Sequence, residues 1–184
     1  MITEPGIISY PALFEPKANP SGVLKYSCSF LVDKTDKKAV EGLQKAVEAA
    51  ISRGKEKLWK GKVPAFRYLA IRDGDAELES GEKTGSEYKG RLFLNCSSDT
   101  PPGVVGPNAK PLMDQGDIYA GCRVRLDVNP FPYTKSGNNG IGWGLNNVML
   151  VGDGERLDGK MRAVDAFAGF ADATSETPDA NDLL

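Results

Sequence analysis

A chain of 184 residues with 40% hydrophobic side chains is long enough for one domain with a full core. It contains no histidine, which excludes Ser-His-Asp and Cys-His catalysis and every histidine-based zinc site within the chain. The formal net charge of −2 hides an uneven distribution: all 23 basic residues but only 20 of the 25 acidic ones lie in residues 1–162, a net of +3, and the end is purely acidic.

Ile7–Phe14 reads as a first strand, bent at Pro11. In the second, Leu24, Tyr26, Cys28, Phe30 and Val32 alternate with Lys25, Ser27, Ser29 and Leu31. Asp33 or Asp36 then caps a helix in which Val40, Leu43, Val47 and Ile51 recur on one face, and Gly54 and Gly61 mark its end. A basic and aromatic stretch follows, with Trp59, Lys60, Lys62, Phe66, Arg67 and Tyr68. The spacing predicts that Trp59 packs the helix end and that Lys60, Lys62 and Arg67 either wall a groove or serve as solubilising charge.

A short strand is expected near Leu69–Arg72, and residues 73–87 read as a mobile acidic loop. Its Asp73, Asp75, Glu77 and Glu79 lack the glycine and distal glutamate of a calcium loop, so no metal and no cofactor are expected. Arg91–Cys96 alternates again, with Leu92, Leu94 and Cys96 inward and Arg91, Phe93 and Asn95 outward. Residues 99–117, rich in proline and glycine, read as an irregular connection.

The stretch from Gly121 to Tyr133, GCRVRLDVNPFPY, is the most informative. As a strand it places Cys122, Val124, Leu126 and Val128 on one face and Arg123, Arg125, Asp127, Asn129, Phe131 and Tyr133 on the other. Guanidiniums for phosphates and flat rings for unstacked bases are what single-stranded nucleic acid requires. Arg91 and Phe93 repeat the arginine-then-aromatic order on a second strand, and the two are expected to build one platform. Thr134–Gly140 reads as a hairpin loop carrying Lys135, and a return strand runs through Gly142–Val151. Trp143, between two glycines, either stacks a base or fills the core. The glycines at 137, 140, 142 and 144 have no helix after them, so they do not make a phosphate loop.

Many strands, one helix and long loops predict a mainly β fold: an OB-fold-like five-stranded Greek-key barrel with one main α-helix packed on it. Residues 1–170 form this domain. Residues 171–184 are expected to be a flexible tail carrying Asp172, Glu176, Asp179, Asp182, Leu183 and Leu184. A tethered polyanion competes for a cationic groove and, when displaced, recruits partners. The three cysteines form no C-x-x-C pair and suit a reducing cytoplasm. No apolar run approaches the roughly 20 residues of a membrane span, so no membrane association is expected.

The segments LAIRDGD (69–75), GRLFLN (90–95), PPGVVGP (101–107) and Tyr119–Glu155 together resemble a small family of bacteriophage single-stranded DNA-binding proteins with an OB-fold core, first catalogued as a domain of unknown function. The resemblance implies sequence-tolerant binding of single-stranded DNA in phage replication or recombination, no catalysis, a place in the host cytoplasm, and an acidic tail for replication or recombination proteins. From strand alternation, Arg91, Arg123, Arg125 and Lys135 are expected on phosphates, and Phe93, Phe131, Tyr133 and Trp143 on bases, with Asn129 beside them. Two other readings stay open: a metal-dependent nuclease using Asp73, Asp75 or Asp117, and a module binding a peptide. So do homo-oligomerisation, strand polarity, site size and a preference for DNA or RNA.

Overall fold

Cys122, Val124, Leu126 and Val128 are wholly buried and line the inside of a closed barrel. The computed structural model of the chain describes residues 1–157, 159 and 166–167. In chain order the elements are β1 (Gly6–Ala18), β2 (Leu24–Asp33), α1 (Lys37–Lys57), β3 (Arg72–Asp73), α2 (Gly74–Glu79), β4 (Arg91–Ser98), β5 (Gly103–Val105), β6 (Arg123–Lys135) and β7 (Asn138–Gly152). Short 3-10 turns occupy Ser86–Tyr88 and Gln115–Asp117.

Five strands close the barrel. β1 pairs antiparallel with β2, β2 with β4, β6 with β7 and β1 with β6, and a parallel contact of β4 with β7 completes the ring. Taking only these five, the order around the ring is first, second, third, fifth, fourth, which is the OB-fold connection expected from the sequence. β3 lies on the outer edge of β4, and β5 on that of β7.

The inward sets of β2, β4 and β6 follow period-two alternation, while β1 and β7 each shift register once or more along their length. Phe30, Leu94, Cys96, Leu126, Trp143, Leu145 and Val148 meet in one core. Asp36, rather than Asp33, caps α1, accepting from the Ala39 amide at 3.0 Å. Ala39 and Leu43 bury against this core, and Ala50 joins Trp59 and Ile141 in a separate cluster under the β6–β7 hairpin. Gly54 does not end the helix. A Cβ there would fall 2.5 Å from the Trp59 ring, so glycine lets the indole and Pro132 close onto α1.

Residues 99–117 are not wholly irregular, since they contain β5 paired to β7, and two further expectations need correction. Residues 73–87 are not an open loop: α2 and the 86–88 turn form a roof over the outer face of the barrel. Asp73 caps α2, Lys34 bridges Asp73 and Asp75 at 2.6 Å each, and Arg72 holds Glu77 through two hydrogen bonds of 2.6 Å. The hairpin loop is also shorter than 134–140. β6 and β7 run on to Lys135 and Asn138, leaving a two-residue turn at Ser136 and Gly137, both with positive φ.

Candidate nucleic-acid interface

The tight turn sets the register of the hairpin. Phe131 faces Gly142 across the ladder, Tyr133 faces Gly140, and Asn129 faces Gly144. Each ring lies over the glycine opposite it. A Cβ on Gly142 would sit 2.7 Å from Phe131 Cζ, and one on Gly140 2.8 Å from Tyr133 Oη. Phe131 as a residue remains 42% exposed, although the far end of its ring lies over Gly142. The Gly144 position continues sideways to Ser97 on β4 and then Ser27 on β2, so Ser27, Ser97, Gly144 and Asn129 form one row of the outer wall. Asn95 and Ser97 are exposed on β4. The result is a trough with a floor of small polar residues and glycine and a wall of aromatic rings.

The back of the hairpin is braced by α1. Arg53 Nη2 donates to the Pro130 carbonyl at 2.7 Å, and Trp59 Nε1 donates to Thr134 Oγ1 at 3.2 Å. Proline alternation therefore does not break the strand: Pro130 is buried while Phe131 and Tyr133 keep the outward face. Trp59 is buried at this junction, as the sequence predicts.

The arginines are placed differently from expectation. Arg123 and Arg125 share the face of Phe131, but Arg125 and Phe131 are six residues apart, about 20 Å of extended strand. Arg125 donates to the Thr3 carbonyl at 2.8 Å and lies 3.4 Å from Glu4. The Glu4 carboxyl is held below its usual range, chiefly by a hydrogen bond from Lys38 and further by the charges of Lys38 and Arg125. Arg91 donates to Asp33 at 2.8 Å and to the Glu87 carbonyl at 2.7 Å. Arg123 is exposed, yet it lines a cleft of about 240 Å³ together with Arg91, Asp33, Asp36 and Glu155, where the acids offset the cations. These three arginines therefore do not form one cationic track with the rings.

Lys60, Lys62, Arg67 and Lys135 are all exposed, and among the described residues none of them is in an ion pair of 4.0 Å or less. Lys135 stands at the hairpin tip. The stretch carrying the other three starts at Trp59, under the hairpin, and is tied to β7 near its end by Trp143 Nε1, which donates to the Ala70 carbonyl at 2.7 Å. Lys135 thus stands two residues from Tyr133, while the segment between α1 and β3 carries exposed Lys60 and Lys62 next to Trp59, and Arg67 over the Tyr68 ring in a cleft shared with Arg72, Asp73 and Glu77.

Phe93 and Trp143 present no face to solvent. Phe93 does point away from the barrel interior, as alternation requires, but Tyr88 covers it edge-on at 4.9 Å, with Leu31 alongside. The row Arg123, Ile7, Leu31, Phe93, Arg72 crosses five strands, and its apolar middle is buried by the roof. Trp143 is 3% exposed and fills the barrel next to Cys96.

The acidic loop residues are structural. Asp73 and Asp75 hold Lys34, Glu77 holds Arg72, and among the described residues no group of three or more could hold a metal ion. Asp117 lies in the 115–117 turn, apart from them. The tail residues Asp172, Glu176, Asp179, Asp182, Leu183 and Leu184, and the boundary after residue 170, lie outside the described residues. Among those described, no helix is long and apolar enough to cross a membrane.

Sequence reasoning placed Asn95 outward on the same strand as Arg91 and Phe93, but missed Gly140, Gly142 and Gly144 and the floor residue Ser97. The signal for the glycines was present: once the turn is confined to Ser136-Gly137, counting outward pairs each glycine with its outward-facing partner.

The chain is similar to several known phage proteins. Protein p50 of Acyrthosiphon pisum secondary endosymbiont phage 1 is 28% identical over 177 residues, 92% of each chain. The single-stranded DNA-binding protein from bacteriophage Enc34, solved in complex with single-stranded DNA, matches with a TM-score of 0.69 at 23% identity, over 84% of this chain and 87% of that one. The single-stranded DNA-binding protein gp2.5 of bacteriophage T7 matches with a TM-score of 0.59 at 15% identity, over 97% and 98%. At these identities the structural likenesses establish the fold. The profile of the family described as Enterobacter phage Enc34, ssDNA-binding protein, covers residues 1–182, and the chain belongs to that family.

Proposed function

We propose that the chain binds single-stranded DNA with little regard to sequence during phage replication or recombination in the host cytoplasm. The observation that carries this reading is the exposed Phe131 ring seated on Gly142 beside a floor of Asn129, Gly144 and Ser97. Every base has a π-face, so stacking on Phe131 and Tyr133 tolerates any sequence, and such contacts contribute about 1–3 kcal/mol per base. Lys60, Lys62, Arg67 and Lys135 supply the phosphate contacts, and Asn129 offers a hydrogen-bonding amide at the end of the ring row. Binding displaces counterions and weakens steeply with salt. The acidic residues 172–182 compete for the same cations and, once displaced, contact replication or recombination proteins.

Fluorescence anisotropy with single-stranded DNA, duplex DNA and RNA at two salt concentrations tests this. Tight, salt-sensitive binding of unrelated single strands supports it. No binding to any single strand, or a strong preference for duplex, overturns it.

A further inference from the structure

We infer that Tyr10 and Lys83 form a second nucleic-acid contact on the outer face, across the Asn95–Ser97 floor from Phe131; this deepens, and rests on, the single-stranded DNA reading above.

A lone exposed tyrosine needs no explanation. Tyr10 adds to its exposure two features that such a residue ordinarily lacks. Its backbone is in the left-handed region at φ 47°, where a bulky residue is strained. It occupies an irregularity of β1, where the register with β2 shifts between Ser9 and Ala12, and such bulges re-aim side chains. Its side chain is left 63% exposed although the chain nearby is well packed, with Ser9 at 2% and Ala12 at 3%.

The placement fits a polynucleotide path. Ser9 pairs with Ser29, and Ser29 with Asn95, so Tyr10 stands at the end of the row that leads into the floor of the trough. Ser29 Oγ hydrogen-bonds Asn95 Oδ1 at 2.7 Å, fixing the amide at the floor. From β1 through β2, β4 and β7 to β6 is four inter-strand steps, about 19 Å. A single OB barrel covers about 4–16 nucleotides, so two stacking stations at this separation lie within one footprint.

Lys83 supplies the charge. Its ammonium lies 5.7 Å from the centre of the Tyr10 ring, 4.9 Å from Tyr88 and 5.4 Å from Phe93. Among the described residues it is in no ion pair of 4.0 Å or less. The acid facing this area is Glu87, which accepts from Ser9 Oγ at 3.4 Å. A cation held over rings keeps its charge while losing little mobility when a phosphate arrives. The roof segment would thus contribute a phosphate contact at the same place where β1 offers a ring.

The test uses the full chain and an oligothymidylate of about 16 nucleotides, the upper limit for one barrel. Tyr10→Ala should weaken binding about 5- to 150-fold and shorten the site size measured by stoichiometric titration. Tyr10→Phe should bind like the parent and Tyr10→Leu like the alanine variant. Lys83→Gln should reduce the slope of log affinity against log salt by about 0.7. If Tyr10→Ala binds like the parent while Phe131→Ala weakens binding, this proposal fails and the proposed function stands. Full binding by Tyr10→Leu also overturns it, because bulk rather than a π-face would then be required. If the parent chain binds no single strand, the functional reading itself fails.

Discussion

Phe131 lies directly across the β6–β7 ladder from Gly142, with its ring seated on the space that any Cβ at 142 would occupy. The glycine makes room for the far end of the ring over the neighbouring strand, and Phe131 still keeps much of its surface exposed. The substitution Gly142→Val should therefore lift the ring and weaken single-stranded DNA binding, while Phe131→Ala should weaken it about 5- to 150-fold. Anisotropy titrations check both. Parent-like affinity in Phe131→Ala, with its thermal midpoint unchanged, contradicts the stacking assignment.

Phe93 should behave in the opposite way. It is buried under Tyr88 and Leu31, so Phe93→Ala leaves a cavity and is expected to lower stability by about 3–5 kcal/mol. Urea unfolding measures this directly. A loss under 1 kcal/mol, with weakened DNA binding in the folded variant, would restore the surface role that alternation suggested.

The free lysines and the tied arginines should separate in their salt dependence. Lys60→Gln combined with Lys62→Gln should flatten the slope of log affinity against log salt by about 1.4, at about 0.7 for each phosphate contact to a single strand. Arg91→Gln should leave that slope near the parent value, because Arg91 is held by Asp33 and the Glu87 carbonyl. The reverse pattern would move the phosphate track to the cleft that Arg91 of β4 shares with Arg123 of β6.

The roof over Phe93 should be sensitive to acid. A hydrogen bond from Lys34 is the main cause holding the Asp73 carboxyl below its usual range, and the same holds for Asp75. Lys34 is raised in turn, first by Asp73 and then by Asp75. Carboxylates depressed in the folded state contribute fully above the unfolded value of about 3.9, and the contribution is lost as pH falls through the depressed folded value. The raised lysine contributes below about 10.4 and loses its contribution as pH rises through its folded value. Lys34→Met should therefore lower the thermal midpoint at pH 7, and the difference from the parent should shrink at strongly acid pH. An equal difference at both pH values contradicts the ionic origin.

Much of the barrel is written in local pattern. Period-two alternation alone separates Val124, Leu126 and Val128 from Arg123, Arg125 and Phe131, because a strand has two faces and only one can be buried in the core. The cap at Asp36 and the apolar stripe through Leu43 place the helix for the same kind of local reason. Family motifs added the order of connection. The site was less legible. Alternation correctly sent Phe93 outward, but whether an outward ring meets solvent depends on what else covers that face, and the residues that cover it, Leu78 and Tyr88, come from a segment whose composition reads as solvated loop.

Which side of each strand faces inward, where the helix starts, and that no histidine chemistry is possible follow from the order of residues, since each depends on neighbours a few positions apart. Which rings remain open and which cations remain unpaired was decided only by folding. Arg125 finds Glu4 and the Thr3 carbonyl, Arg91 finds Asp33, and Phe93 finds Tyr88, while Phe131 stays exposed with Gly142 opposite it. Tyr88 and Gly142 lie five and eleven residues from their rings, but the other partners are distant in sequence, and ion pairing and burial act through space, so alternation along one strand carries no record of them.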